Sequence, residues 1–300
     1  MTPNKKILTL LITMFLFAGL ISAQSLKLLK SESFNVSENQ TLKVDAVVAD
    51  VLIETWDKNE VEIKVFGNRK AKKDLEIHID EYSRGVKVKI EKDGFNLFNF
   101  FNNINAKIEA KIPRNFILNI ETSGGDIAAY EVNGEIFLDT SGGNIILEQS
   151  NGEVKASTSG GDIKIREHNG EAMISTSGGD IEVLDHDGDI EAETSGGDID
   201  LDVKNGEING DTSGGSITCN YSGTNKGIDL STSGGSIKVR IPSETAARIH
   251  LYTSGGDCSL NFDEADLSKD KDHEIKGRLN GGGKMISCST SGGDIRVSEK

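Results

Sequence analysis

Aromatic residues are scarce in this chain, 5% of 300 residues with a single Trp, which leaves little of the stacking surface on which bases or sugars are usually held. Positive charge is also short. Lys and Arg number 33 against 48 Asp and Glu, and the net charge of −15 argues against nucleic acid and against anionic lipid surfaces as partners. Only three Cys occur, an odd number, so a full disulfide framework is excluded, and the connectivity of any one bridge is not readable from spacing. Proline is nearly missing, with three residues. Beyond residue 23 no apolar run is long enough to span a membrane, so the mature chain is read as having no transmembrane segment.

What the chain has instead is glycine, 34 residues of it, set in a repeat. The block Thr-Ser-Gly-Gly-Asp/Asn-Ile starts at Thr122, Thr140, Thr158, Thr176 and Thr194, 18 residues apart each time, and returns with small changes at Thr212, Thr232, Thr253 and Thr290. A short fixed period is the mark of a solenoid, in which each unit buries its apolar face against the next. Within one period Ile127, Ile145, Ile163, Ile181 and Ile199 alternate with polar residues, as do Ala129, Leu147, Ile165, Val183 and Leu201 two places on. That is a strand with one buried face.

A second strand follows nine residues later, after Asn-Gly-Glu or Asp-Gly-Asp, with Ile136 and Leu138, Val154 and Ala156, Ala172 and Ile174, and Ile190 and Ala192 inward. The Thr that opens the next block continues the alternation and is expected to point inward. Gly-Gly forms one corner and Asn-Gly or Asp-Gly the other, since such corners need positive φ or a close approach of backbones. Asn-Gly also marks β-hairpins, so an antiparallel sandwich is the alternative. Like residues recurring every 18 positions favour like-on-like stacking about 4.8 Å apart. The fold class expected is therefore all-β: a single-domain parallel β-solenoid with two short strands per coil and an irregular, β-rich N-terminal cap.

Three segments are expected. Residues 1–23 carry Lys5 and Lys6, an apolar run and Ile-Ser-Ala before Gln24, the pattern of a signal peptide cleaved after Ala23. The mature chain is then exported, to the periplasm, the cell surface or the medium. Residues 24–121 alternate irregularly and form a cap with the first imperfect coils, which the exposed edge of a stack requires. Residues 122–300 form the regular solenoid. After Thr212 the spacings lengthen to 20, 21 and 37 residues, read as insertions at 222–227, 241–247 and 264–284, with the charged stretch 263–276 a protruding loop and these loops the first place to expect a binding face. In the cap, Phe95, Phe98, Phe100 and Phe101 bring four of eleven Phe into seven residues, a loop over the apolar end or an exposed contact surface.

Two files of acidic residues carry what chemistry the pattern offers. One follows Gly-Gly: Asp126, Asn144, Asp162, Asp180 and Asp198. The other sits at the opposite corner: Glu135, Glu153, Glu171, Asp189 and Glu207. Stacked carboxylates repel by roughly 1 kcal/mol per adjacent pair in water, so each file is either solvated or shares a cation. The weak metal candidates are thus Asp162, Asp180, Asp198, Glu153, Glu171 and Asp189, with Ca²⁺ the ion. The calcium β-roll motif Gly-Gly-x-Gly-x-Asp is not matched, because Ile127 and Ala129 stand where its Gly and Asp would be. His168 and His186 share a place in adjacent coils, where a pair of imidazoles could hold a metal, but surface histidines at a turn are far commoner than ligands, and they are read as turn residues at the surface. No Ser/His/Asp or Cys/His set stands apart, and no carboxylate pair is marked out for glycoside cleavage, so no catalytic or cofactor-binding residue is assigned. Cys219, Cys258 and Cys288 are read as small inward side chains.

The segments Val51-Leu52-Ile53 with Trp56-Asp57, Ile112-Pro113 before the first block, the Gly-Gly-Asp-Ile repeats, and Leu279-Asn280-Gly281-Gly282-Gly283 before the last block together resemble the bacterial "putative adhesin" family with β-strand repeats, a domain of unknown function. The resemblance covers most of residues 40–297. It implies an exported β-solenoid and offers no functional residues to carry over. The expected function is that of a non-enzymatic, adhesin-like binding or scaffold protein of the bacterial cell envelope, with a surface polymer or protein as partner. The alternatives are a cation-stabilised module and a carbohydrate-active β-helix enzyme.

Overall fold

The computed structural model describes residues 26–92, 103–262 and 265–300. The expected signal peptide and the four clustered Phe lie outside the described residues. The chain winds into two sheets that face each other, one of 13 strands and one of 14. In the middle, successive coils add one strand to each sheet: Val154–Thr158 to the larger, Ile163–Asn169 to the smaller, then Ala172–Thr176 and Ile181–Asp187. Neighbouring copies run parallel and in register, with Ile163 paired to Ile145 and Ile181, and Thr158 to Thr140 and Thr176. This is the expected parallel β-solenoid, and the hairpin alternative is excluded there.

The two corners use glycine differently. At the Asn-Gly corner Gly152, Gly170 and Gly188 take φ of 126°, 139° and 146°, a region that side chains resist. At the Gly-Gly corner the second glycine is needed for closeness instead. A Cβ on Gly161 would meet the carbonyl oxygen of Gly143 at 2.0 Å, whereas one on Gly160 would find nothing nearer than 3.8 Å. The Thr hydroxyl locks this corner. Thr158 is buried, donates to Gly143 O at 2.9 Å and accepts from Gly161 N–H at 3.3 Å, tying one coil to the next.

Both ends are wound out of chain order. At the start, Thr41–Ala46 and Asp50–Trp56 form the coil that lies against Ile117–Thr122 and Ile127–Tyr130, and the later strands Gly85–Lys92 and Ala106–Pro113 form the next coil outward. Glu60–Gly67, Lys27–Asn35 and Leu75–Tyr82 then close the edges with antiparallel pairings. A short helix, Arg69–Asp74, which the sequence reading did not anticipate, begins at Asn68, whose Oδ1 accepts the N–H groups of Lys70 and Ala71.

At the far end, Ala247–Thr253 and Cys258–Asn261 make the outermost coil. The last strands, Lys284–Thr290 and Ile295–Glu299, slide between it and the coil of Ile228–Thr232 and Ile237–Ile241. Thr290 therefore stacks on Thr232, and Thr253 on Thr290. The 37-residue spacing is thus not one coil with a protruding insertion. Ala265–Lys271 and Glu274–Leu279 form a hairpin that extends the larger sheet antiparallel along Ala247–Thr253, a correction to the charged loop expected there.

The core is one continuous apolar column from Leu42 to Val297. The N–H and C=O groups of parallel strands are paired between coils, so each added coil buries two more rows of Ile, Leu, Val and Ala at about 25 cal/mol per Å² of apolar surface.

Candidate functional site

The acidic file beside the Gly-Gly corner is occupied with its own backbone. Asp162 Oδ1 accepts the N–H of Asp180 at 3.0 Å, Asp180 Oδ1 that of Asp198 at 2.8 Å, and Asp198 Oδ1 that of Ser216 at 2.7 Å. Asn144 plays the same part toward Asp162 N–H at 2.8 Å, so a charge is not needed for the contact. Where the file reaches the cap, Asp50 accepts from Asp126 N–H at 3.1 Å, and burial raises its pKa.

In the second file Asp189 accepts from Glu207 N–H at 2.9 Å and lies 3.8 Å from Lys226 Nζ, while Glu153 and Glu171 are exposed. The seven-residue strand Ile163–Asn169 separates the two files, roughly 23 Å at 3.3 Å per residue. That exceeds the separation at which two carboxylates flank one glycosidic bond. No group of three or more metal-ligating side chains is present among the described residues.

His168 and His186 are not at the surface, which corrects the reading of them as turn residues. Both are 1% exposed, stacked with ring centroids 5.2 Å apart and planes inclined by 17°. The cause is a bulge. Gln149, Glu167 and Asp185 take φ of 56°, 52° and 53°, and this extra left-handed residue shifts the alternation so that Ser150, His168 and His186 turn inward. His168 Nδ1 lies 2.9 Å from Ser150 Oγ, and His186 Nε2 lies 3.3 Å from Asp189 O. Burial, and then the neighbouring imidazole, lowers the His168 pKa to about 4; burial also lowers that of His186. Stacked rings hold their nitrogen lone pairs side by side rather than converging, so one ion could not join them without a ring turning.

The three cysteines are free. Cys219 and Cys288 are buried, and burial pushes the Cys219 thiol up to about 12 and that of Cys288 well above its ordinary value. Cys258, expected inward, is half-buried because its coil is the outermost.

A groove of about 500 Å³ crosses the outer face of the larger sheet near the cap. Its floor is one outward row on successive parallel strands: Lys43 beside Asn119, Asn119 beside Phe137, Phe137 beside Lys155. Its wall is the hairpin turn carrying Tyr82 and Arg84. Gly85 brings the turn in, at φ 142°, where a Cβ would stand 2.2 Å from Thr41 O; Arg84 O accepts Thr41 N–H at 2.7 Å. Asn119 Oδ1 is shielded from solvent and has no hydrogen-bond partner. Lys43 Nζ reaches Glu121 at 4.0 Å. No periodic signal marks this site, because it depends on a turn that joins the floor only through the out-of-order winding.

A two-sheet parallel β-solenoid with one acidic file engaged by its own backbone defines a β-repeat protein. Residues 39–298 match the model of the Toastrack DUF4097 family, a domain of unknown function, and the chain belongs to that family. No curated protein matches the sequence. Among solved structures, the chain is similar to a putative adhesin from Bacteroides fragilis, at 14% identity over 93% of this chain and 98% of that one, with a TM-score of 0.46. It is also similar to a putative lipid binding protein from Parabacteroides distasonis, at 15% identity over 89% and 96% with a TM-score of 0.46. A putative cell adhesion protein from Clostridium sporogenes shares 14% identity over 91% and 100%, with a TM-score of 0.22. At these values neither the names nor the details of those proteins transfer to this chain.

Proposed function

We propose that this chain is an exported, non-enzymatic binding or scaffold protein of the bacterial envelope that holds a surface polymer against one face of its solenoid. The observation that carries this reading is the division of labour among its polar groups. The carboxylates of the Gly-Gly file hold coil to coil through backbone N–H groups, while an open groove with aromatic, amide and cationic lining lies apart from them. Export rests on the pattern of residues 1–23. No described helix is long and apolar enough to cross a membrane.

The test is co-sedimentation of the full mature chain with isolated envelope polymer, alongside an assay for newly released reducing ends. Retention without release is the expected result. Release of sugar that a single carboxylate substitution abolishes would establish an enzyme and overturn the reading.

A further inference from the structure

The groove is specific enough to say what kind of polymer it takes, an inference that rests on the binding role just proposed. Three features define the ligand. The shielded, unpartnered Oδ1 of Asn119 is an acceptor in search of a donor, and a hydroxyl that reaches the floor supplies one. Phe137, half-buried in the floor, and Tyr82, half-buried in the wall, present flat apolar faces of the kind on which a sugar ring's C–H face packs. Cations also gather here, on a chain whose net charge is −15. Lys43, Arg84 and Lys155 line the groove against Glu135 and Glu153; Arg84 and Lys155 are exposed and have no ion-pair partner among the described residues.

We propose that the groove binds a polysaccharide segment bearing carboxylates, a uronate-containing glycan. Sugar rings lie on Phe137 and on Tyr82 and a hydroxyl is donated to Asn119, while carboxylates along the segment are held by Arg84 at one end of the groove and Lys155 at the other. The bidentate fork of Arg84 suits a planar carboxylate. A volume of about 500 Å³ falls within the range of roughly 300–1,000 Å³ typical of ligand sites, room for a short stretch of polymer rather than a single ring. Because successive strands rise in steps of about 4.8 Å, the row from Lys43 to Lys155 runs about 14 Å across the coils, and the polymer lies along the stack rather than around it.

The experiment is calorimetric titration of the full mature chain with oligogalacturonate and with a neutral maltooligosaccharide of the same length. Variants are Asn119→Ala, Phe137→Ala and Arg84→Ala, with Lys238→Ala on the other sheet as control. Binding of the uronate only, weakened about tenfold by each groove substitution and unchanged by the control, is expected. Equal binding of the neutral oligosaccharide, or indifference to Arg84→Ala, overturns the carboxylate assignment. If neither sugar binds while the chain still sediments with envelope polymer, the groove assignment falls and the wider binding role stands. If sedimentation fails as well, both fall. All four substitutions are at outward positions, and an unchanged melting temperature confirms that each variant is folded.

Discussion

The middle of the stack and its two ends are made from the same residue types but wound by different rules. From Ile136 to Ile241 each coil rests on the one before it in the chain, so these contacts are about 18 residues distant. At the ends the chain first lays down an outer coil or edge and later returns to fill the layer inside it, so that Thr290 is paired with Thr232 and Gly85–Lys92 sits against Thr41–Ala46. The middle is thus paired on both sides from local contacts. The ends require distant segments to meet, and three of the four sheet edges finish in an antiparallel pair that cannot be extended by the same repeat; the smaller sheet ends at the far side on the parallel strand Cys258–Asn261. A regular parallel stack left open would recruit further chains to its edge, and the changed winding removes that template at both edges of the larger sheet and at the near edge of the smaller one.

This difference is broken most severely by a charge in the middle. Ile163 is fully buried with partners on both sides, and Ile163→Asp gives up about 2 kcal/mol of apolar burial and adds an unpaired buried charge worth several more. Loss of the folded state is expected. Leu260→Asp, in the half-covered outermost coil, is expected to cost about 1–2 kcal/mol. Denaturant midpoints of the two variants check this, and equal losses would show that the end coil is as closed as the middle.

A finer distinction separates the two glycines of one corner. Gly179→Ala places a Cβ 2.0 Å from Gly161 O, a backbone atom that cannot step aside, and is expected to destabilise by about 3 kcal/mol. Gly178→Ala meets nothing nearer than 3.6 Å and stays within about 0.5 kcal/mol. Thermal melting separates them; similar shifts would refute the close-approach account of the second glycine.

How far the sequence shows this depends on whether a feature obeys the period. The inward Ile files, the buried Thr and the parallel register follow from counting by 18, because stacking places like on like. Counting does not say which copies touch. The spacing of 37 before Thr290 looks like an insertion because sequence order is silently taken as spatial order. The histidines escape for a related reason: strict alternation after Ile165 points residue 167 inward, and only the left-handed Glu167 hands that place to His168. The groove is illegible until Tyr82 and Arg84 are brought beside Asn119 by pairings between distant strands.

The histidine pair sharpens the comparison by placing two buried, acid-sensitive groups in the middle, whereas the far end carries the less buried His250, whose pKa burial also lowers. A lowered folded pKa means that the unfolded chain binds more protons, so stability is full above the unfolded value near 6.5 and falls as pH drops toward the folded value. With His168 at about 4, the loss between pH 6.5 and 4 comes to about 3 kcal/mol. His186, shifted the same way, adds to it. Asp187 and Asp189, which favour the protonated form of His186, moderate the effect. The double variant His168→Val and His186→Val copies Val203, the next residue in that file, and should flatten the pH dependence of the melting temperature across this window. An unaltered slope would place the acid-labile groups elsewhere.

The smallest effect concerns the acidic file itself. If Asp180 serves by accepting Asp198 N–H at 2.8 Å, then Asp180→Asn keeps the acceptor and relieves repulsion from the carboxylates stacked above and below, as Asn144 already does in its own coil. Stability should hold or rise by about 0.5 kcal/mol. Adding millimolar Ca²⁺ should leave the melting temperature of both proteins where it was, since each carboxylate already spends one oxygen on the backbone. A rise of several degrees in the parent chain that disappears in Asp180→Asn would mean instead that neighbouring carboxylates share an ion through their second oxygens. The file would then be a cation ladder as well as a backbone one.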